Sequence, residues 1–527
     1  MSETTIAGIA ERPLAAASKV RAPVGALAVI ASVAVAKLLL QAAGILHYGF
    51  FRDELYYMAC GEHLAWGYVD QPPLIAAIAW LARHLFGNSI VSVRLLPILA
   101  GATVVFLTGI LARELGAGRL GQFLAALTIL FAPAYLAFDS FLSMNAFEPV
   151  FWALCAWIVT RIVKGSTPKL WLAFGLIAGI GLENKHTILV FGFALALGLI
   201  LAGESRVFRS KWFWIGGLVA LALFLPNLVW EAAHGWPQIE VVRNAHDLKN
   251  VPISPLRFLG EQILFLGPLA FPLWLGGLGW YFFSGEGKHF RFLGWAYLAV
   301  LAIFIIFGGK SYYPLPAYPL LAAAGGVAFE NLVRRPRRRW LAFSNPALLI
   351  IGGLATVPFG VPILPVNTFL RYSNIIPIGH AVKTERDAAV ALPQLYADMF
   401  GWEGMAQTIA GVYHGLPATE RAGCAILAGN YGEAGAIDYY GPALGLPKAI
   451  SGHNSYYDWG PRGYSGGCVI IFGERATEFT AYFGQVERAA MITNPYAMAV
   501  EQNVPVYICR KPIAPLSVLW PRFKMII

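Results

Sequence analysis

Residues 50–87 read FFRDELYYMACGEHLAWGYVDQPPLIAAIAWLARHLFG and stand between two long apolar runs, 23–46 and 89–112. Over 53–65 the spacing is helical, with Leu55, Met58 and Ala59 on one side. The segment is too short and too polar to span a bilayer, so it is expected to lie flat on a membrane surface. Asp70 precedes Gln71-Pro72-Pro73, where it could cap a second short helix that proline begins without strain. In the plainest reading Asp53 and Asp70 are both helix caps and Glu54 is solvated.

The flanking composition explains why a membrane is invoked at all. Of 527 residues 57% are hydrophobic and 13% charged, with a mean hydropathy of +0.60. A soluble domain averages about 25% charged residues, so a cytosolic enzyme, a coiled coil or a disordered chain fits poorly. Sixteen Trp, 34 Phe and 22 Tyr suit aromatic belts at the two membrane surfaces.

Further apolar runs recur at 119–138, 141–160, 170–184, 186–202, 212–230, 257–283, 290–307, 313–330 and 341–364, giving eleven candidate helices in all. Basic residues alternate between the loops. Lys19 and Arg21, Arg113 and Arg119, Arg161, Lys164 and Lys169, Arg206, Arg209 and Lys211, Lys288 and Arg291, and the run Arg334 to Arg339 all fall on one side. By the positive-inside rule that side, with the N-terminus, is the cytoplasm. The net charge of +10 therefore reads as topology and not as a nucleic-acid surface. No cleavable signal is evident before the first run, which is read as a retained helix.

The expected architecture is a polytopic α-helical membrane domain, residues 1–364 with a first outer loop at 47–88, followed by an extracytoplasmic α/β domain at 365–527. In that second domain Cys424 to Ala428, Cys468 to Phe472 and Val504 to Cys509 read as strands, and Phe400 to Tyr413, Glu433 to Tyr440 and Ala476 to Arg488 as helices. Cys424, Cys468 and Cys509 share this outer domain, where an oxidising compartment permits one bridge whose partners the sequence does not name.

Ionisable groups at membrane depth cost about 2.5 to 3.5 kcal/mol each, so those that persist usually line a working cavity. Asp53, Glu54, Asp70, Asp139, Glu183, Lys185 and Lys310 all fall on the outer side near helix ends. Singly each has an ordinary explanation: a cap for Asp139, snorkelling for Lys185. Lys310 stands beside Tyr312 and Tyr313 in a Gly/Pro-rich turn, a group that can hold a phosphate. The runs NYGEAGAIDYYG and SGHNSYYDWGP of the outer domain read first as turns and second as sugar or acceptor contacts. No HExxH, GxSxG or GxxxxGK[ST] occurs, and the histidines show no ligand spacing, so zinc hydrolase, serine hydrolase and P-loop ATPase lack support.

Taken together, Asp53-Glu54, the element Asp70-Gln71-Pro72-Pro73-Leu74, Asp139 at the head of a helix, the turn ending in Lys185, EQILFLGPLAFPLW (Glu261 to Trp274) and Lys310-Ser311-Tyr312-Tyr313 resemble the GT-C integral-membrane glycosyltransferases. The aminoarabinose and galacturonosyl transferases of lipid A resemble this pattern most, the protein O-mannosyltransferases more distantly. The resemblance covers about residues 45–330. It implies a sugar donor on a polyprenyl phosphate, used without nucleotide on the outer side of a Gram-negative inner membrane. The acceptor would be lipid A or another lipid, glycan or protein. It also implies Asp53 as the catalytic carboxylate, with lysines and tyrosines holding the phosphate. Gln71 departs from the aminoarabinose enzymes, which carry Lys there, so Lys185 and Lys310 become the phosphate candidates. Glu54, Asp70, Gln71, Asp139, Tyr312 and Tyr313 complete the expected substrate-binding set. No cofactor or metal is entered, although gathered carboxylates could hold a divalent ion. A direct inverting displacement needs one base; a transporter or lipid-linked-sugar flippase is the rival reading.

Overall fold

A computed structural model describes residues 24–249, 251–376 and 390–527. Lys19 and Arg21, and with them the start of the chain, lie outside those residues. Each of the eleven apolar runs contains helix. In chain order the elements are α1 (Val24–Gly44), α2 (Arg52–Glu62), α3 (Leu74–Phe86), α4 (Ile90–Glu114), α5 (Arg119–Leu130), α6 (Pro133–Phe138), α7 (Met144–Val163), α8 (Leu170–Asn184), α9 (Ile188–Leu201), α10 (Lys211–Ala233), α11 (Pro237–Asn244), α12 (Pro255–Leu266), α13 (Phe271–Phe283), α14 (Arg291–Ile306), α15 (Tyr318–Val333) and α16 (Leu341–Thr356).

Among the described residues six helices are long and apolar enough to cross a bilayer, or seven if the pair Pro255–Leu266 and Pro268–Phe283, bent by 95°, counts as one span. The remaining apolar helices, such as α5, α8 and α9, are shorter than the ~20 residues that hydrocarbon demands. Hydropathy alone therefore locates the helices better than it counts the crossings. The chain is a multi-pass membrane protein; length and composition alone mark six or seven spans among the described residues, against the eleven expected.

Small residues let the short helices pack closely. A Cβ on Gly175 of α8 would meet the carbonyl oxygen of Gly216 in α10 at 2.0 Å, and one on Gly216 would meet that of Trp171 at 2.2 Å, so both positions require glycine. Three of the basic loops, those around Arg119, Arg161 and Arg334, meet at one end of the body. Glu114, at the close of α4, takes Lys164 at 2.8 Å and Arg161 at 3.4 Å, and Glu330 of α15 accepts the backbone N–H of Gly121.

The opposite end carries α2, α3 and the outer domain. Its sheet has the order β2-β1-β3-β5-β4, built from β1 (Cys424–Ala428), β2 (Ile450–Ser451), β3 (Cys468–Phe472), β4 (Phe483–Ile492) and β5 (Val504–Pro512). Strands β2, β1 and β3 run parallel; β5 and β4 run antiparallel. The bridge joins Cys424 to Cys468, which face each other across β1 and β3, and Cys509 is a buried free thiol.

Two expectations change here. The stretch Ala476 to Arg488 is helical only over Ala476–Thr480, and the rest belongs to β4. β4 is an edge strand exposed on both faces through most of its length, so it lacks the alternation that marks a half-buried strand. The second concerns α2, which is covered by protein: Glu54 through Gly61 are all buried, and the helix Tyr431–Tyr440 of the outer domain lies on it, with no room for a Cβ at Gly435 against the Leu55 backbone. The helix expected to lie flat on a membrane surface is instead the seat of the outer domain, with Leu55, Met58 and Ala59 in one apolar cluster with Ala434 and Ile437.

Candidate active site

α2 starts at Arg52 with Phe51 extended before it, and its first turn puts two carboxylates in opposite surroundings. Asp53 faces a cavity of about 630 Å³ where α2, the helical body and the outer domain meet. Its side chain is 28% exposed and accepts the Tyr431 hydroxyl at 2.9 Å, with Arg52 Nε at 3.8 Å. Glu54 points the other way. It is fully buried, pairs with Arg94 at 2.8 Å, and accepts the backbone N–H groups of Phe51 and Leu142.

Asp70 joins Asp53 on the cavity wall. It caps no helix, because the residue before α3 is Pro73. Its carboxylate takes the Tyr56 hydroxyl at 2.7 Å and Asn454 Nδ2 at 3.1 Å, which ties the first outer loop to the outer domain. Burial, with a further push from Asp53, raises its pKa to about 6. Burial, reinforced by Asp53 and Asp70, lifts the Tyr57 phenol well above its ordinary range, so it stays a hydrogen-bond donor.

The basic part of the cavity comes from two turns of the body. Lys185, between α8 and α9, donates to Asn145 at 2.8 Å and to Glu148 at 3.0 Å, and its ammonium sits 4.7 Å from the Tyr313 ring centre. Lys310 lies 5.9 Å from the Tyr312 ring centre. Lys185, Lys310, Tyr312 and Tyr313 line the same cavity as Asp53 and Asp70, with apolar surface from Phe138, Phe141, Leu264 and Phe265 completing it. Carboxylates, ammonium groups and phenols therefore share one chamber with a greasy floor. An amphiphilic phosphate ester could be held there with its reacting carbon near a base.

Not every expected residue joins this group. Gln71 is fully buried, and its amide reaches only the Cys60 thiol at 3.6 Å. Glu54 is occupied by Arg94. Asp139 is buried and paired with Lys37 of α1 at 2.8 Å. It borders a water-sized void of about 10 Å³ shared with Asn145, Glu148 and Tyr312, so it touches the lysine cluster from behind. Glu183 is not on the wall. Sequence reading missed Arg52, Tyr57, Asn145, Glu148, His186 and Asp398, of which all but Glu148 line the cavity. Glu148 and Lys37 carried a usable signal, a charge interrupting an apolar helix; Tyr57 and Asn145 carried none. Among the described residues no three His, Cys, Asp or Glu side chains are grouped as a metal ion would require.

Comparison with known proteins bears on the fold and the sequence. Residues 70–230 match the model of the dolichyl-phosphate-mannose-protein mannosyltransferase family. The structure aligns with that of ArnT from Cupriavidus metallidurans bound to undecaprenyl phosphate at a TM-score of 0.61, covering 92% of this chain and 98% of that one at 13% identity. The chain carries the GT-C glycosyltransferase fold. The apo form of the same GT-C protein aligns at 0.59. In sequence, a lipid A galacturonosyltransferase, RgtD of Rhizobium johnstonii, is 25% identical over 369 residues, covering 66% of this chain and 74% of the relative. The sequence matches are thus to glycosyltransferases, and the structural match is to the GT-C fold that the resemblance over residues 45–330 implies.

Proposed function

We propose that this protein transfers a sugar from a polyprenyl-phosphate donor to an acceptor on the extracytoplasmic face of a bacterial inner membrane. The observation that carries the reading is the single cavity that joins Asp53 to Lys185 and Lys310. Asp53 takes the proton of the incoming hydroxyl as that oxygen attacks the anomeric carbon. The polyprenyl phosphate departs from the opposite side, its charge met by the two lysines with Tyr312 and Tyr313 around them. One base and no protein nucleophile make the displacement inverting. Asp70 and the Tyr57 phenol hold sugar or acceptor hydroxyls, and Asp139 keeps its place behind the cluster through Lys37. The likeness to a lipid A galacturonosyltransferase favours a lipid A acceptor, with another lipid, a glycan or a protein as the alternative. The basic loop ends lie in the cytoplasm and the outer domain in the periplasm.

Purified protein in detergent, given a radiolabelled polyprenyl-phosphate sugar and lipid A, tests this. Transfer with inversion, lost in Asp53→Asn, is the expected result. Release of no product from any such donor would leave a flippase as the better account, since a carrier has no gradient to use in detergent.

A further inference from the structure

His186 lines the cavity beside Lys185 but has no part in the transfer just described. The turn that presents it is pinned at every side chain. Asn184 donates to the Met144 carbonyl at 3.0 Å, Lys185 to Glu148, and Thr187 to the other oxygen of Glu148. His186 is held by Asn227, a fully buried residue of α10. Asn227 gives its Nδ2–H to the Trp66 carbonyl at 2.8 Å, so the end it turns to His186 Nε2, at 3.0 Å, is the amide oxygen. An amide oxygen only accepts, so Nε2 carries the hydrogen and Nδ1 is the nitrogen left for a second partner. Gln238 of α11, also on the cavity wall, is the ring's other polar neighbour, and Phe224 meets the ring edge-on at 5.3 Å. A phosphate oxygen is a stronger acceptor than that neutral amide.

We propose that His186 is a further substrate-contacting residue, an imidazolium that gives its Nδ1–H to a phosphate oxygen of the lipid-linked donor, with Asn227 as the residue that positions it. This rests on the polyprenyl-phosphate reading. Because Nε2–H is engaged, Nδ1 can donate only after the ring takes up a proton from solvent. Burial works against that second proton, and the hydrogen bonds to Asn227 and Gln238 work for it; Lys185 on the same turn and Lys310 share the cavity with the ring. Glu148 of α7 and Glu231, one helical turn beyond Asn227 on α10, work for it, and an arriving phosphate tips the balance. As the anomeric C–O bond breaks, its electron pair passes to the phosphate oxygen that this proton faces. The acceptor's own proton goes to Asp53, and the imidazolium proton returns to solvent when the lipid phosphate leaves.

The test uses the full-length protein in nanodiscs with undecaprenyl phosphate as probe, its affinity measured from pH 5.5 to 9. A phosphate monoester gains its second charge near pH ~6, so affinity should rise there in every variant. The wild type should then weaken roughly tenfold on the alkaline side, about the worth of one charged hydrogen bond. His186→Gln should lose that alkaline fall, and Asn227→Asp, which replaces an amide by a carboxylate against Nε2–H, should move it to higher pH. An alkaline fall unchanged in His186→Gln overturns the role of His186 while leaving the donor reading intact. No binding by the wild type at any pH overturns the donor reading itself. Should His186→Gln fail to fold, the direction of the Asn227→Asp shift decides, because a merely structural asparagine would not move the titration.

Discussion

Asp53 and Glu54 are neighbours in one helical turn with nearly the same chemistry, and the fold gives them opposite occupations. Asp53 has one phenol and a distant guanidinium, and opens on a cavity; Glu54 has Arg94 and two backbone donors, and sees no solvent. The same division runs through the lysines. Lys37 is sealed against Asp139 in the core, whereas Lys185 shares Glu148 and Asn145 but keeps a face on the cavity among tyrosines. A charge whose every partner is supplied by the protein builds the scaffold. A charge left partly unmatched beside a cavity is available to a ligand.

Removing the two carboxylates in turn should split activity from stability. Asp53→Asn is expected to lower the transfer rate by about 10² to 10⁴, the range of a lost general base, with an unfolding midpoint in detergent close to the wild type. Glu54→Ala should do the reverse. It strands Arg94 in the core, and breaking such a pair costs about 3 to 5 kcal/mol, which thermal unfolding in detergent would register. If Glu54→Ala kept its stability and lost donor binding, the division between scaffold and site would be misplaced.

Lys185 sits between those extremes, and Glu148→Gln sharpens its case. The single amide oxygen still accepts from Lys185, the amide NH2 turns to the Thr187 hydroxyl, and the ammonium charge is no longer balanced. Without that charge, burial pulls the Lys185 ammonium toward its neutral form, so donor KM should rise by about tenfold, one charge-assisted contact, with kcat changed much less. An equal loss in kcat at unchanged KM would make Glu148 part of the reaction and not a support for Lys185.

How much of this was legible beforehand follows the same division. Apolar runs locate the helices because hydropathy is local, but whether a short helix such as α5 or α9 crosses depends on tilt and neighbours that a window of residues does not contain. The buried strands β1 and β3 were legible for a like reason, while edge strand β4 hid behind its exposed residues. Asp53, Asp70, Lys185 and Lys310 stand out as charges near helix ends, and they do meet in one chamber. Glu54 and Gln71 have the same local signature. Only the tertiary partners Arg94 and Cys60, distant or across a turn, show which way they face. Tyr431 reaches Asp53 from 378 residues away, a distance no motif spans.

The smallest expected effect belongs to Asp70, which straddles the two classes: on the cavity wall, yet tied to Tyr56 and Asn454. Its pKa is raised from 3.8 to about 6 by burial. As pH climbs through that window the unfolded chain ionises first and binds fewer protons than the folded one, so stability falls with rising pH and levels off above it. Glu501, raised to about 7 beside Glu433 in the outer domain, adds a slope of the same sign that ends at higher pH. Thermal unfolding from pH 4 to 8 should therefore show a decline in two overlapping parts, and Asp70→Asn should make the lower one shallower without removing it, since burial raises Asp139 to about 6 as well. If the lower part is unchanged in that variant, Asp70 is ionised and solvated at pH 5 in the folded protein. It would then belong with Asp53 as a charge open to ligand, and the tie between the first outer loop and the outer domain would rest on contacts such as Tyr56 with Ser455 and Glu62 with Lys448.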